Sequence, residues 1–155
     1  MRKFLRIAGI VLVLAFAGMQ FIRPEMTNPP VDPAIGSLQQ LHADPAVEKL
    51  LRVACFDCHS HETVWPWYSS VAPSSWLVAR DVKAGRKHLN FSLWGKYSQD
   101  RKLIALKDIM EQVSSGEMPF PPYVLLHSGA RLDSSARNTI VAWAQREKER
   151  LSAEP

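Results

Sequence analysis

An all-α domain is the fold class this sequence predicts, and three observations predict it. No run of alternating apolar and polar residues bounded by turn signals occurs anywhere in the chain. Apolar residues recur instead at three- and four-residue intervals, most clearly over Gln99–Ser114 and again near the C-terminus. The same stretches carry the chemistry that starts and stops helices: Asp44 before Pro45, Gly116 after the long stripe, and Asp133 or Ser134 before the last one. A length of 155 residues suits one modest domain, and 46% hydrophobic with 22% charged residues excludes a disordered or fibrous chain.

The elements follow in order. "MRKFLRIAGIVLVLAFAGMQFIRP" places Arg2, Lys3 and Arg6 ahead of sixteen uncharged residues, Ile7 to Ile22, the pattern of an export segment over residues 1–22. Cleavage after Ala17, at the A-x-A-like Ala15-Phe16-Ala17, would release a periplasmic protein. Retention would anchor the chain in the inner membrane with its cations inside, and the apolar residues Met19, Phe21 and Ile22 beyond Ala17 favour retention. Residues 23–35, with Pro24, Pro29, Pro30 and Pro33, read as an extended spacer lifting the domain, residues 36–152, off the membrane.

Within the domain, Asp44 caps a short helix whose Val47, Leu50, Leu51 and Ala54 share a face and which ends at the cysteines. "WPWYSSVAPSSW" is an aromatic loop. A helix then starts at Ser74 or Ser75 and ends near Gly85, and "NFSLWGKYS" is irregular. Leu103, Leu106, Met110 and Val113, flanked by Ile104 and Ile109, write the strongest amphipathic helix, closed by Gly116. "EMPFPPYVLLHSGARL" is a second Pro-rich aromatic loop. The last helix carries Ile140, Trp143, Ala144, Glu147 and Leu151 on one side.

The net charge of +4 belongs to the export flank: without Arg2, Lys3 and Arg6 there remain 16 basic and 15 acidic side chains. A nucleic-acid-binding face therefore loses its support.

Both cysteines fall in "CFDCH", Cys55 to His59. C-x-x-C-H is the attachment signature of c-type haem. Two thiols on one helical turn add across the two vinyl groups of one porphyrin, and the adjoining imidazole meets the iron. A covalently held ring also explains loops too long for so small a core. A disulfide of this spacing closes too small a loop to act as a staple. A thioredoxin-like pair would need a βαβ context, and a zinc site would need four ligands at zinc spacing.

The sixth iron ligand expected is Met118, in the Met-Pro of "SGEMPFPPY", a loop after a helix, and a soft thioether opposite histidine favours the ferrous state and raises the potential. Met110 falls on the apolar stripe, and Met1, Met19 and Met26 fall in the export segment and spacer. His61, His88 and His127 are the rival ligands, with His61 too near His59 in sequence to reach the opposite face easily. Trp65, Trp67 and Tyr68 are expected to pack on the porphyrin edge, and Arg80, Arg86 and Lys87 are candidates for its propionates.

With "CFDCHSHETVWPWYSSVAPSSWLVARDVKAGRKHLNFSLW", "SGEMPFPPYVLLHSGARL", "ARNTIVAWA" and "QFIRP" in view, the chain resembles the bacterial haem-binding domain family of small exported CxxCH proteins related to cytochromes c. The likeness covers nearly all of residues 20–145. It implies a cytochrome c-like fold wrapped round one covalent haem c, with thioether bonds at Cys55 and Cys58, iron on His59 and Met118 at the matching Met-Pro position. It also implies redox partner proteins. The expectation is a membrane-tethered periplasmic electron carrier, not an enzyme. The alternatives are a haem peroxidase or gas sensor with an open or displaceable sixth position, where Glu117 or His127 supplies acid-base chemistry, and a structural zinc module.

Overall fold

The computed structural model describes residues 1–36 and 38–154, and among these there is no β-strand. Eight α-helices run in order: α1 Arg2–Met19, α2 Pro33–Gly36, α3 Pro45–Ala54, α4 Phe56–His59, α5 Ser74–His88, α6 Gln99–Ser115, α7 Pro121–Leu126 and α8 Ser134–Ala153. The long pair α6 and α8 forms the scaffold. They lie antiparallel: Gln99 at the start of α6 donates to Leu151 O at the end of α8, and Arg137 near the start of α8 donates to Val113 O at 2.8 Å. Ala105, Leu106, Ile109 and Val113 of α6 meet Ile140, Trp143, Ala144 and Leu151 of α8 in one apolar cluster. α3 adds Val47, Leu51 and Ala54 to it, and Trp143 Nε1 donates to Leu41 O at 3.0 Å.

The expected caps form. Asp44 accepts from the Ala46 and Val47 amides, Asp133 accepts from Ala136 N at 2.7 Å, and Gly116 takes the left-handed conformation at φ 83°. Each satisfies backbone groups that the helix end leaves open. Glu147, read as part of the apolar stripe, is indeed buried. Its carboxylate takes a two-point contact from Arg150 (2.7 and 2.8 Å) and a third from His42 Nδ1 at 3.2 Å.

Three details depart from expectation. α5 continues past Gly85 to His88, because Gly85 serves a close approach rather than a stop. The Pro-rich stretch after Met118 contains α7, started by Pro121 and Pro122 whose missing amide hydrogens cost nothing at a helix start. The segment 23–35, read as a spacer, has no regular structure as far as Asp32, enters α2 at Pro33, and lies on the domain. Arg86 donates to Thr27 O at 2.8 Å and Asn28 Oδ1 at 2.7 Å, and Asn28 Nδ2 donates to Thr63 O at 2.8 Å.

α1 carries no buried residue. Among the described residues no helix is long and apolar enough to cross a membrane, so the anchor expected from residues 1–22 finds no support in the fold. Arg2, Lys3 and Arg6 occupy the first turns, and only Ile7–Met19 is both helical and uncharged, short of the ~20 apolar residues a spanning helix needs. The helix ends where Gln20 turns to the domain, exchanging two hydrogen bonds with the Ala72 backbone at 2.9 and 3.2 Å, and Trp76 Nε1 donates to Ile22 O at 2.7 Å.

Candidate functional site

The C-x-x-C-H turn is built from the core outward. Cys55 ends α3, its amide donating to Leu51 O, and the chain then bends at φ −127° into the single turn α4. Phe56 drives that turn into place: it is buried and stacks on Phe91 with ring centroids 5.1 Å apart and planes 12° apart. With Phe56 pointing inward, Cys55, Cys58 and His59 line one cavity of about 570 Å³, within the range of small-molecule and cofactor pockets. Both cysteines are free thiols. Burial pushes Cys55 up to about 12 and Cys58, with Asp57 beside it, up to about 11. They therefore face the cavity as neutral thiols.

His59 is oriented by α5. Its Nδ1 lies 3.0 Å from Gly85 O and 3.1 Å from Leu89 O. Two carbonyl acceptors require the proton on Nδ1, which leaves the Nε2 lone pair free for a metal, the arrangement that fixes the tautomer of an iron-ligating histidine. Burial lowers the pKa of His59 despite those two bonds, so the neutral, ligating form is favoured. Gly85 makes the geometry possible. A Cβ there would stand 2.5 Å from Cys58 O and 3.1 Å from Cys58 Cβ, so α5 could not approach α4 with any side chain at this position.

Asp81, Ala84, Gly85 and His88 of α5 form one wall of the cavity; Ala105, Asp108, Ile109, Gln112 and Val113 of α6, with Met118, Phe120 and Tyr123, form the other. Met118 is thus brought to the same cavity as His59, from a different wall. Its backbone is held at both ends, the amide donating to Gln112 O at 3.0 Å and the carbonyl accepting from Arg137 at 3.3 Å. Of the rival ligands, His88 lines the cavity, next in sequence to Leu89, whose carbonyl holds His59. His61 is bonded through Nε2 to the Asn90 amide at 2.9 Å, and His127 stacks on Tyr123 with Nδ1 on the Tyr123 carbonyl. Neither lines the cavity.

The expected aromatic residues stand apart from the cavity lining. Trp65, Trp67 and Tyr68 do not line the cavity; Phe91, Phe120 and Tyr123 do. Pro66 sends the chain into the turn Trp67–Ser70, which leaves Trp67 81% exposed, while Trp65 lies under the Arg86 guanidinium at 6.0 Å. Arg86, a candidate for the propionates, has its donors engaged elsewhere. Its donors go to Ser60 O, Thr27 O, Asn28 Oδ1 and Thr63 Oγ1. Arg80 pairs with Asp81 at 2.8 Å, and neither Arg80 nor Lys87 lines the cavity.

Tyr123 and Arg137 also escaped sequence reading. Tyr123 lines the cavity and donates from its hydroxyl to Asp57 Oδ2 at 2.7 Å; burial, reinforced by that bond, pushes its phenol well above the usual range, so it remains a donor. Arg137 sits in a helix that reads as scaffold, and its bond to Met118 O spans 19 residues. The Tyr-Asp pair spans 66, and no local spacing announces a contact of that range. Among the described residues, the indole N–H of fully buried Trp94 has no partner.

An apolar cavity with two free thiols, an imidazole with its outer nitrogen available and a thioether in its lining fits haem. Among the described residues no three His, Cys, Asp or Glu side chains converge as a metal-ion site, as zinc would require. Residues 14–146 match the family described as the haem-binding domain, and the chain belongs to that family. Comparison with curated proteins and with solved structures returns no match.

Proposed function

We propose that this protein is a c-type, single-haem electron carrier. The observation that carries the reading is the convergence of Cys55, Cys58, His59 and Met118 on one cavity, with His59 held by Nδ1 so that Nε2 is free. Cys55 and Cys58 would hold the porphyrin through thioether bonds, and His59 and Met118 would ligate the iron. Bound haem supplies a reversible one-electron change, with a thioether ligand favouring the reduced state. The chain's own part is to fix His59 in one tautomer, hold Met118 through Gln112 and Arg137, and surround the ring with Leu51, Phe91, Ile109 and Val113 in a water-poor setting. Partner proteins would exchange electrons with the bound haem.

Residues 1–22 would direct export to the periplasm, followed by cleavage after Ala17 or by retention at the membrane. The support is the order of three cations and an uncharged stretch, with every large apolar side chain of α1 from Leu5 to Leu14 left exposed. A second reading, ligand binding or peroxide chemistry, rests on Asp108 and Gln112 lining the Met118 wall. Glu117 and His127, the acid-base groups expected for it, do not line the cavity.

The test is expression with export and covalent haem insertion. The expected product keeps its haem on a denaturing gel, shows one haem per chain, and binds carbon monoxide slowly when reduced, whereas Met118→Ala binds it fast. Folded, colourless protein would end the reading, and peroxide turnover by the wild type would move it to the second.

A further inference from the structure

One side of the cavity is closed by a short, largely exposed segment. Between the Met118 backbone, fixed by Gln112 and Arg137, and buried Ala130 and Leu132, the chain forms α7, which has no buried residue and exposes Pro121, Pro122, Leu125 and Leu126. One side chain of this arm reaches back to the haem-attachment turn: Tyr123, whose hydroxyl donates to Asp57 Oδ2 at 2.7 Å. Asp57 stands between the two cysteines, and its other oxygen accepts from Val64 N at 2.9 Å, so its carboxylate is aimed and not free to swing. The Tyr123 ring also stacks on His127, centroids 4.0 Å apart, and His127 meets Tyr68 edge-on at 6.1 Å.

We infer that the Tyr123–Asp57 hydrogen bond is a latch, holding the Phe120–Leu126 arm closed over the haem cavity and setting how readily an outside ligand reaches the iron. The inference rests on the haem reading above. Tyr123 is a positioning residue: it acts on access to the iron through the Phe120–Leu126 arm, which lines the cavity with Phe120 and Tyr123, and a bond to a carboxylate is strong enough to hold an arm that has no buried residue.

The test uses the full haem-loaded chain and Tyr123→Phe, which removes the hydroxyl and keeps the ring on His127. Two quantities are measured: the rate at which carbon monoxide binds the reduced protein, and hydrogen exchange at the Val124 and His127 amides. Tyr123→Phe is expected to raise both by roughly tenfold or more, with the amides of α6 and α8 unchanged. Asp57→Asn reaches the same bond from its other end, is expected to shift both rates in the same direction, and carries the test if Tyr123→Phe does not fold. Unchanged exchange in the arm overturns the latch. Wild-type protein that binds carbon monoxide as fast as Met118→Ala removes Met118 from the iron, and protein without haem absorbance removes the haem reading. In either case arm exchange still decides whether the bond holds the arm.

Discussion

Gly85 shows how much of the site hangs on one missing carbon. It lets α5 touch the backbone of Cys58, and its carbonyl is one of the two that hold His59 Nδ1. An alanine would add about 1 kcal/mol of helix propensity, but its methyl would meet a backbone carbonyl at 2.5 Å, which cannot rotate aside. Overpacking of this kind costs typically ~1–3 kcal/mol. Gly85→Ala is therefore expected to lower the denaturant midpoint and to reduce the haem bound per chain. Both are read by unfolding curves and by haem absorbance per milligram. Equal stability and equal haem content would show that α4 can shift without loss.

The long helices obey simpler rules. α6 and α8 present continuous apolar sides, and Leu106, at 0% exposure, lies at their contact with no solvent route for relaxation. Leu106→Ala is expected to cost about 2–5 kcal/mol, the range for emptying such a position, measured by urea unfolding. A cost under ~1 kcal/mol would mean that the two helices close the gap. The stripe read from spacing holds at Leu106 and Val113, whereas Leu103 and Met110 are only half-buried and Ile109 takes a central place. The reason is that α6 serves two neighbours, α8 on one side and the cavity on the other, so its apolar arc is wider than one stripe. Gly116 ends α6 as its sequence suggests, whereas Gly85 does not end α5. A glycine marks either a stop or a close approach, and only the neighbour decides which.

Taken together, the domain holds its own N-terminal extension from Gln20 onward and leaves α1 outside. Removing residues 1–19 behind a substitute export leader is expected to leave the unfolding free energy within ~0.5 kcal/mol of the full chain, as for surface changes generally, because none of these residues is buried. A loss above ~2 kcal/mol would show that α1 packs on the domain in solution. Gln20 and Ile22, bonded to Ala72 and Trp76, set that boundary, and Arg86 holds the chain beyond it. One guanidinium joins residues 27, 28, 60 and 63, so the Pro-rich stretch belongs to the folded unit even though it has no core of its own.

Local chemistry determined much: the helical class, the caps at Asp44, Asp133 and Gly116, and the pairing of two thiols with His59 on one turn. These are legible because each depends on residues within a few positions of one another. The tertiary structure alone decided which groups share the cavity with that turn. It set Phe120 and Tyr123 there beside the Met118 that the Met-Pro dipeptide had suggested, left Trp65, Trp67 and Tyr68 outside, and drew Arg86 to the N-terminal segment. Such contacts join residues tens of positions apart, where side-chain direction and helix approach are set by packing, and no spacing along the chain records them.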